Sequence, residues 1–131
     1  MPVAPIDPSL KIASVRLAVS KLARSAEFYQ RTLGLPLIER GEESALLGDP
    51  AHPALELVSI AEPVPLVPHS TGLFHVAWLH PTCAGLADTV RRVLDASWPI
   101  EGASDHGVSE AVYLSDPDGL GIEVYVDRPR E

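Results

Sequence analysis

The chain contains an internal repeat. Residues 43–50 read Glu-Ser-Ala-Leu-Leu-Gly-Asp-Pro, and residues 110–117 read Glu-Ala-Val-Tyr-Leu-Ser-Asp-Pro. The match then continues without a gap, so that Ala54-Leu55-Glu56-Leu57-Val58 falls opposite Gly121-Ile122-Glu123-Val124-Tyr125. Upstream, residues 15–19 match residues 76–80, which sets Ser14 against His75. A pattern used twice restricts the fold to two like units that bury their apolar faces together. A duplicated unit with His and Glu at matched strand positions predicts a pocket between the halves, with a metal ion as one candidate occupant.

Local patterns resolve each unit into the same elements. Residues 12–19 read as a buried strand. Leu22, Ser25/Ala26, Tyr29 and Leu33 then recur at helical spacing, with Ser20 as the expected cap and Gly34 as the stop. Short strands are expected over 36–40, 44–47 and 54–60, separated by Gly41, Gly48 and Asp49-Pro50. Residues 61–71 carry Pro63, Pro65 and Pro68 and read as an extended linker. The second unit repeats the order, with a strand over 73–79 and a helix over about 83–96 capped by Thr82. Strands follow over 99–102, 111–115 and 122–126. Asp116-Pro-Asp-Gly119 is a turn by mechanism, since Pro fixes φ and Gly tolerates positive φ. The expected fold is α+β, with two tandem β-α-β-β-β modules forming a curved mixed sheet around a cleft. The chain reads as a single domain over 1–131, made of a module at 10–60, a linker at 61–71 and a module at 72–129.

A chain of 131 residues is long enough for a real core. Its formal net charge of −8 argues against nucleic acid and anionic membrane as partners. The single cysteine, Cys83, excludes an intrachain disulfide and fits a cytoplasmic setting. No stretch reaches bilayer-spanning length, and Met-Pro-Val-Ala-Pro-Ile-Asp-Pro lacks the basic and apolar runs of a signal peptide. Residues 1–9 are expected to be an irregular arm.

Three segments resemble the vicinal oxygen chelate superfamily, the group of glyoxalase I, bleomycin-resistance proteins and extradiol dioxygenases. They are Val19-Ser20-Lys21-Leu22-Ala23-Arg24-Ser25-Ala26-Glu27-Phe28-Tyr29 with Leu33-Gly34-Leu35, then Gly72-Leu73-Phe74-His75-Val76-Ala77, then Tyr113-Leu114-Ser115-Asp116-Pro117-Asp118-Gly119 with Gly121-Ile122-Glu123-Val124-Tyr125. The resemblance spans about residues 10–129. Gly102–Ala111 is similar in particular to the amino-terminal part of bacterial catechol-2,3-dioxygenase-like proteins. Those enzymes often carry two paired-module units, with the catalytic metal in the other one. The resemblance implies a cleft in which four positions hold a divalent metal. Carried onto this chain they are Ser14, Glu56, His75 and Glu123. Ser14 departs from the usual His, and a neutral hydroxyl is a poor ligand beside imidazole or carboxylate.

One imidazole and two carboxylates, His75, Glu56 and Glu123, would suit Fe, Mn, Ni, Zn or Mg. Glu123 and His106 are the expected acid–base groups, with Ser14, Tyr113 and Tyr125 lining the substrate pocket. Each residue also has a plainer reading. His75 fits a core histidine, Glu56 a solvated strand face and His106 a surface loop. His80 reads as a strand end, and His52 and His69 as loop residues. Trp78 reads as core, Trp98 as packing on the end of the second helix, Phe28 and Tyr29 as helix-to-sheet packing, and Lys21 and Arg24 as a solvated face. The resemblance implies a small metal-dependent enzyme acting on a compact substrate with vicinal oxygens, by dioxygenase or by glyoxalase-type lyase or isomerase chemistry. A metal-free drug- or metabolite-binding protein of the bleomycin-resistance type and a non-catalytic relative of an extradiol dioxygenase are the alternatives. Pairing of modules within one chain and pairing across a homodimer both remain open at this point.

Overall fold

The computed structural model describes residues 5–7, 9–64, 67 and 70–129. Strand β1 (Val15–Val19) leads into α1 (Leu22–Glu27), which continues as a π-helical turn over Phe28–Thr32 and stops at Gly34, whose φ is +81°. Strands β2 (Leu37–Arg40), β3 (Ser44–Asp49) and β4 (His52–Ser59) complete the first module. The second comprises β5 (His75–His80), α2 (Cys83–Asp95), β6 (Gly102–Asp105), β7 (Ser109–Ser115) and β8 (Gly121–Asp127). The expected element order holds throughout. Parts of the expected arm and linker, with Pro65, Pro68 and His69, lie outside the described residues.

The modules form two four-stranded mixed sheets, ordered β1-β4-β3-β2 and β5-β8-β7-β6. In each, the first strand lies parallel to the last, and the rest pair antiparallel. A parallel pair needs a crossover, and the helix supplies it. Alternation decides which face is buried. Leu55 and Leu57 are fully buried with Glu56 between them, and Ile122 and Val124 flank Glu123 in the same way. The buried faces of both sheets share one core with the helices, running from Leu17, Val19, Tyr29 and Leu57 to Val93, Leu114, Val124 and Val126. Burying each Leu or Val contributes roughly 1.5–3 kcal/mol. The other face of each sheet stays open, and the residues with site chemistry stand there.

Thr82 caps α2 as expected, its hydroxyl oxygen accepting from Gly85 N–H at 3.1 Å. Ser20 does not cap α1. The N-cap is Lys21, without a side-chain hydrogen bond, while Ser20 donates its hydroxyl and its backbone N–H to Asp118. Arg24, expected on a solvated face, joins that cluster through an ion pair to Asp118. The second strand of the second module, β6, begins later than expected, because pairing with β7 starts at Gly102–Tyr113 and runs on to Asp105–Glu110. Trp78 is half-buried against the core, and Trp98 packs on Phe28 with ring centroids 4.7 Å apart. No helix among the described residues is long and apolar enough to cross a membrane.

Candidate functional site

The open face of the second sheet carries a continuous polar chain. Glu123 sits at the centre of β8, directly opposite Ala77 on β5 and Tyr113 on β7. His75 lies two residues before Ala77, on the same face. Its Nε2 is 3.2 Å from Glu123 Oε2. Tyr113 donates its hydroxyl to the other carboxylate oxygen, Oε1, at 3.1 Å. His106 Nε2 lies 3.0 Å from the same hydroxyl oxygen. Since Tyr113 donates to Glu123, it accepts from His106 in the tautomer that carries a proton on Nε2. Loss of solvation, reinforced by the bond to Glu123 and its charge, raises the Tyr113 hydroxyl above its ordinary value. It therefore keeps its proton at neutral pH and stays a donor.

Local sequence explains this arrangement. Gly121 is the strand partner of His75. A Cβ on Gly121 would lie 3.1 Å from His75 Cβ and 2.8 Å from the Phe74 carbonyl oxygen. The missing side chain leaves room for the imidazole beside the strand and for close approach of β5 and β8. Gly107, at φ +76°, turns the chain after His106, and its N–H donates to Asp105. That turn places His106 over β7. Phe74 stands beside His75 with rings edge-on at 5.2 Å, and is 86% exposed.

The first sheet presents a different set at the matched positions. Arg16 stands where the second sheet has Ala77, and Leu46 where it has Tyr113. Arg16 Nε donates to Glu56 Oε2 at 2.7 Å. Ser14 is exposed just before β1. Tyr125 shares the open face of β8 with Glu123 and is half-buried. The structure thus brings together His75, Glu123, Tyr113 and His106, and it leaves Glu56 and Ser14 on the other sheet.

A metal ion can be tested against this geometry. Two ligands each about 2.1 Å from one ion, at right angles, stand about 3 Å apart. The His75–Glu123 separation of 3.2 Å suits a pair of adjacent ligands. Among the described residues of one copy, no third His, Cys, Asp or Glu joins them. Glu56 keeps one oxygen, Oε1, without a described partner. A cavity of about 540 Å³ lies elsewhere, at the seam between the modules, lined by Ile60, Val64, Leu73 and Leu120 among others.

Sequence reasoning missed Arg16, Gly121 and Phe74 as parts of these faces. The signal for Arg16 was present: in Val-Arg-Leu-Ala-Val it shares strand parity with Ser14, so it had to face the same side.

Comparison with known proteins agrees with this architecture. The chain is 40% identical over 121 residues to a catechol-2,3-dioxygenase of Bacillus subtilis (strain 168), covering 91% of this chain but 42% of that protein. The chain thus spans less than half the length of that relative. A glyoxalase/dioxygenase from Nostoc punctiforme shares the fold with a TM-score of 0.77 at 22% identity, covering 98% of this chain and all of that one. A glyoxylase/bleomycin resistance protein/dioxygenase domain from Frankia sp. EAN1pec gives a TM-score of 0.77 at 18% identity, covering 91% and 98%. The family profile matches residues 11–124. With that match over most of its length, the chain belongs to the glyoxalase/bleomycin resistance protein/dioxygenase superfamily.

Proposed function

We propose that this protein is a small metal-dependent enzyme of the dioxygenase and glyoxalase type, acting on a compact substrate with adjacent oxygen atoms. The observation that carries this reading is the unbroken chain His75–Glu123–Tyr113–His106 on one open sheet face. Such a chain orients a carboxylate at both oxygens and ends in an imidazole within reach of solvent. His75 Nε2 and Glu123 Oε2 would hold a divalent ion, of Fe, Mn, Ni, Zn or Mg type. A bound ion there supplies Lewis-acid polarisation of a substrate oxygen.

The protein groups have separate roles. Tyr113 fixes the Glu123 carboxylate through Oε1, leaving Oε2 directed at His75. His106 carries its proton on Nε2 and donates it to the Tyr113 hydroxyl, which leaves Nδ1 as the nitrogen that can take up a further proton. Phe74 and Tyr125 supply apolar surface beside the reacting face. Glu56 is the third ligand of this reading, reached where the open face of one copy meets that of a second in a homodimer. Its free Oε1 and its Arg16-bonded Oε2 fit a ligand whose second oxygen is fixed by a hydrogen bond. The 40% identity to a catechol-2,3-dioxygenase favours oxygenase chemistry on a vicinal diol.

A second reading has one specific observation in its favour. Arg16 already supplies positive charge to Glu56, as a metal ion would. A metal-free binding protein of the bleomycin-resistance type fits that feature.

The deciding measurement is metal content of untagged protein prepared without chelator, alongside His75→Ala. About one equivalent per chain or per dimer, lost in the variant, supports the enzyme reading. No metal after reconstitution with each ion removes it and leaves the binding protein.

A further inference from the structure

Arg16 has donors that nothing among the described residues uses. Only its Nε is engaged, by Glu56 Oε2 at 2.7 Å, and both terminal amino groups lack a partner among the described residues. Its side chain is 71% exposed, whereas Glu56 is 33% exposed. The carboxylate therefore lies nearer the sheet and the guanidinium reaches past it. The direct strand pairing of Arg16 with Glu56 fixes this order, because the two side chains rise side by side from β1 and β4. Around them the open face is low: Ser14 and Ala18 flank Arg16 along the strand, and Ala54 and Val58 flank Glu56. None of these four neighbours is a long side chain, and the guanidinium stays largely exposed.

A surface ion pair of this kind contributes little to stability, about 0–1 kcal/mol. Stability is therefore a poor reason for a charged pair on the open face of β1 and β4. The second sheet manages the matched place with Ala77, and Glu123 finds its partners in Tyr113 and His75. The first sheet has instead an exposed cation whose two terminal amino groups have no partner among the described residues.

We propose that Arg16 is an oxyanion anchor, positioned by Glu56, and that the small-molecule ligand of this protein carries a carboxylate. A guanidinium edge with two terminal N–H groups matches the two oxygens of a carboxylate in a bidentate bond. Glu56 beside it also selects for charge. It offsets much of the positive field, so a monoanion is accepted and a dianionic phosphate is repelled. The inference deepens the enzyme reading, since it names a group that the substrate carries besides its adjacent oxygens. The anchor itself lies within one copy and needs neither metal nor dimer.

The test is a titration of the full chain with benzoate, followed by amide and arginine side-chain NMR. Saturable shifts are expected at Arg16 Nε–H and at the amides of Val15–Leu17 and Leu55–Leu57. Arg16→Ala should weaken benzoate binding by about tenfold or more. Arg16→Lys, which keeps the charge but loses the fork, should fall between. Benzamide, neutral and of the same shape, should not bind, and inorganic phosphate should bind more weakly than benzoate. Shifts absent from β1 and β4, equal binding by Arg16→Ala, or phosphate binding tighter than benzoate each overturn the proposal. Protein treated with chelator should bind benzoate as the untreated protein does. A failed metal test therefore leaves this result standing, and a failed benzoate test leaves the metal site standing.

Discussion

Tyr29, on the helix of the first module, donates its hydroxyl to Asp116 Oδ2 of the second at 2.9 Å, and both side chains are buried. Burial and the neighbouring Asp116 push the tyrosine hydroxyl far above its ordinary value, so it remains a donor at any accessible pH. Asp116 Oδ1 accepts from the backbone N–H groups of Asp118 and Leu120, which shapes the turn before β8. Tyr29→Phe keeps the ring and its edge contact with Phe28 but strips Oδ2 of its donor. A loss of about 2 kcal/mol in unfolding free energy is expected. Urea denaturation of parent and variant at pH 7 measures it.

Asp118 ties the same turn to the start of α1. Partial burial pushes its carboxyl up, but hydrogen bonds from Ser20 and the charge and hydrogen bond of Arg24 outweigh this and hold it below its ordinary 3.8. A depressed folded-state value stabilises the protein above the unfolded value and ceases to do so as pH falls through the folded one. Asp118→Asn should therefore be less stable than the parent at pH 6. The gap should shrink as pH drops below about 4. Denaturant midpoints across that range check it, and a constant gap would contradict the assignment.

Gly121→Ala adds a methyl group where the Phe74 carbonyl oxygen stands at 2.8 Å. The contact is to backbone, so β5 and β8 must separate. A cost of about 1–3 kcal/mol is expected. His75 should move with its strand, and loss of bound metal at temperatures where the variant is still folded would report that shift. Circular dichroism and metal analysis on one sample separate the two effects.

Tyr113→Phe cuts the link between His106 and Glu123 while leaving His75 in place. Metal content should stay at the parent level. Turnover of a catechol probe by the iron-loaded protein, followed by oxygen uptake, should fall by about 100-fold. Unchanged turnover would place His106 outside the reaction.

Most of the fold was legible in the chain because the same cues occur twice. Leu-Glu-Leu-Val and Ile-Glu-Val-Tyr both state which side of the last strand is buried, and the buried leucines and isoleucine follow that parity. Thr82 was readable as a cap because its oxygen serves a donor three residues on. Ser20 was not, since its partner Asp118 lies 98 residues away, and local spacing carries no information about such a partner. The site was legible in parts. His75, Glu123, Tyr113 and His106 were named individually, but their joining depends on the register of β7 against β8 and on the turn at Gly107. The engagement of Glu56 by Arg16 is a cross-strand contact between β1 and β4, invisible until those strands are paired.

The shared interior has a consequence for the repeat itself. Leu17, Val19, Tyr29 and Leu57 pack in the same cluster as Val93, Leu114, Val124 and Val126, so neither half has a complete interior. Severed at residues 61–71, each half would expose the surface that the other now covers. With the interior shared in this way, the two copies of the motif are expected to unfold in one transition, and loss of either part should destabilise the other.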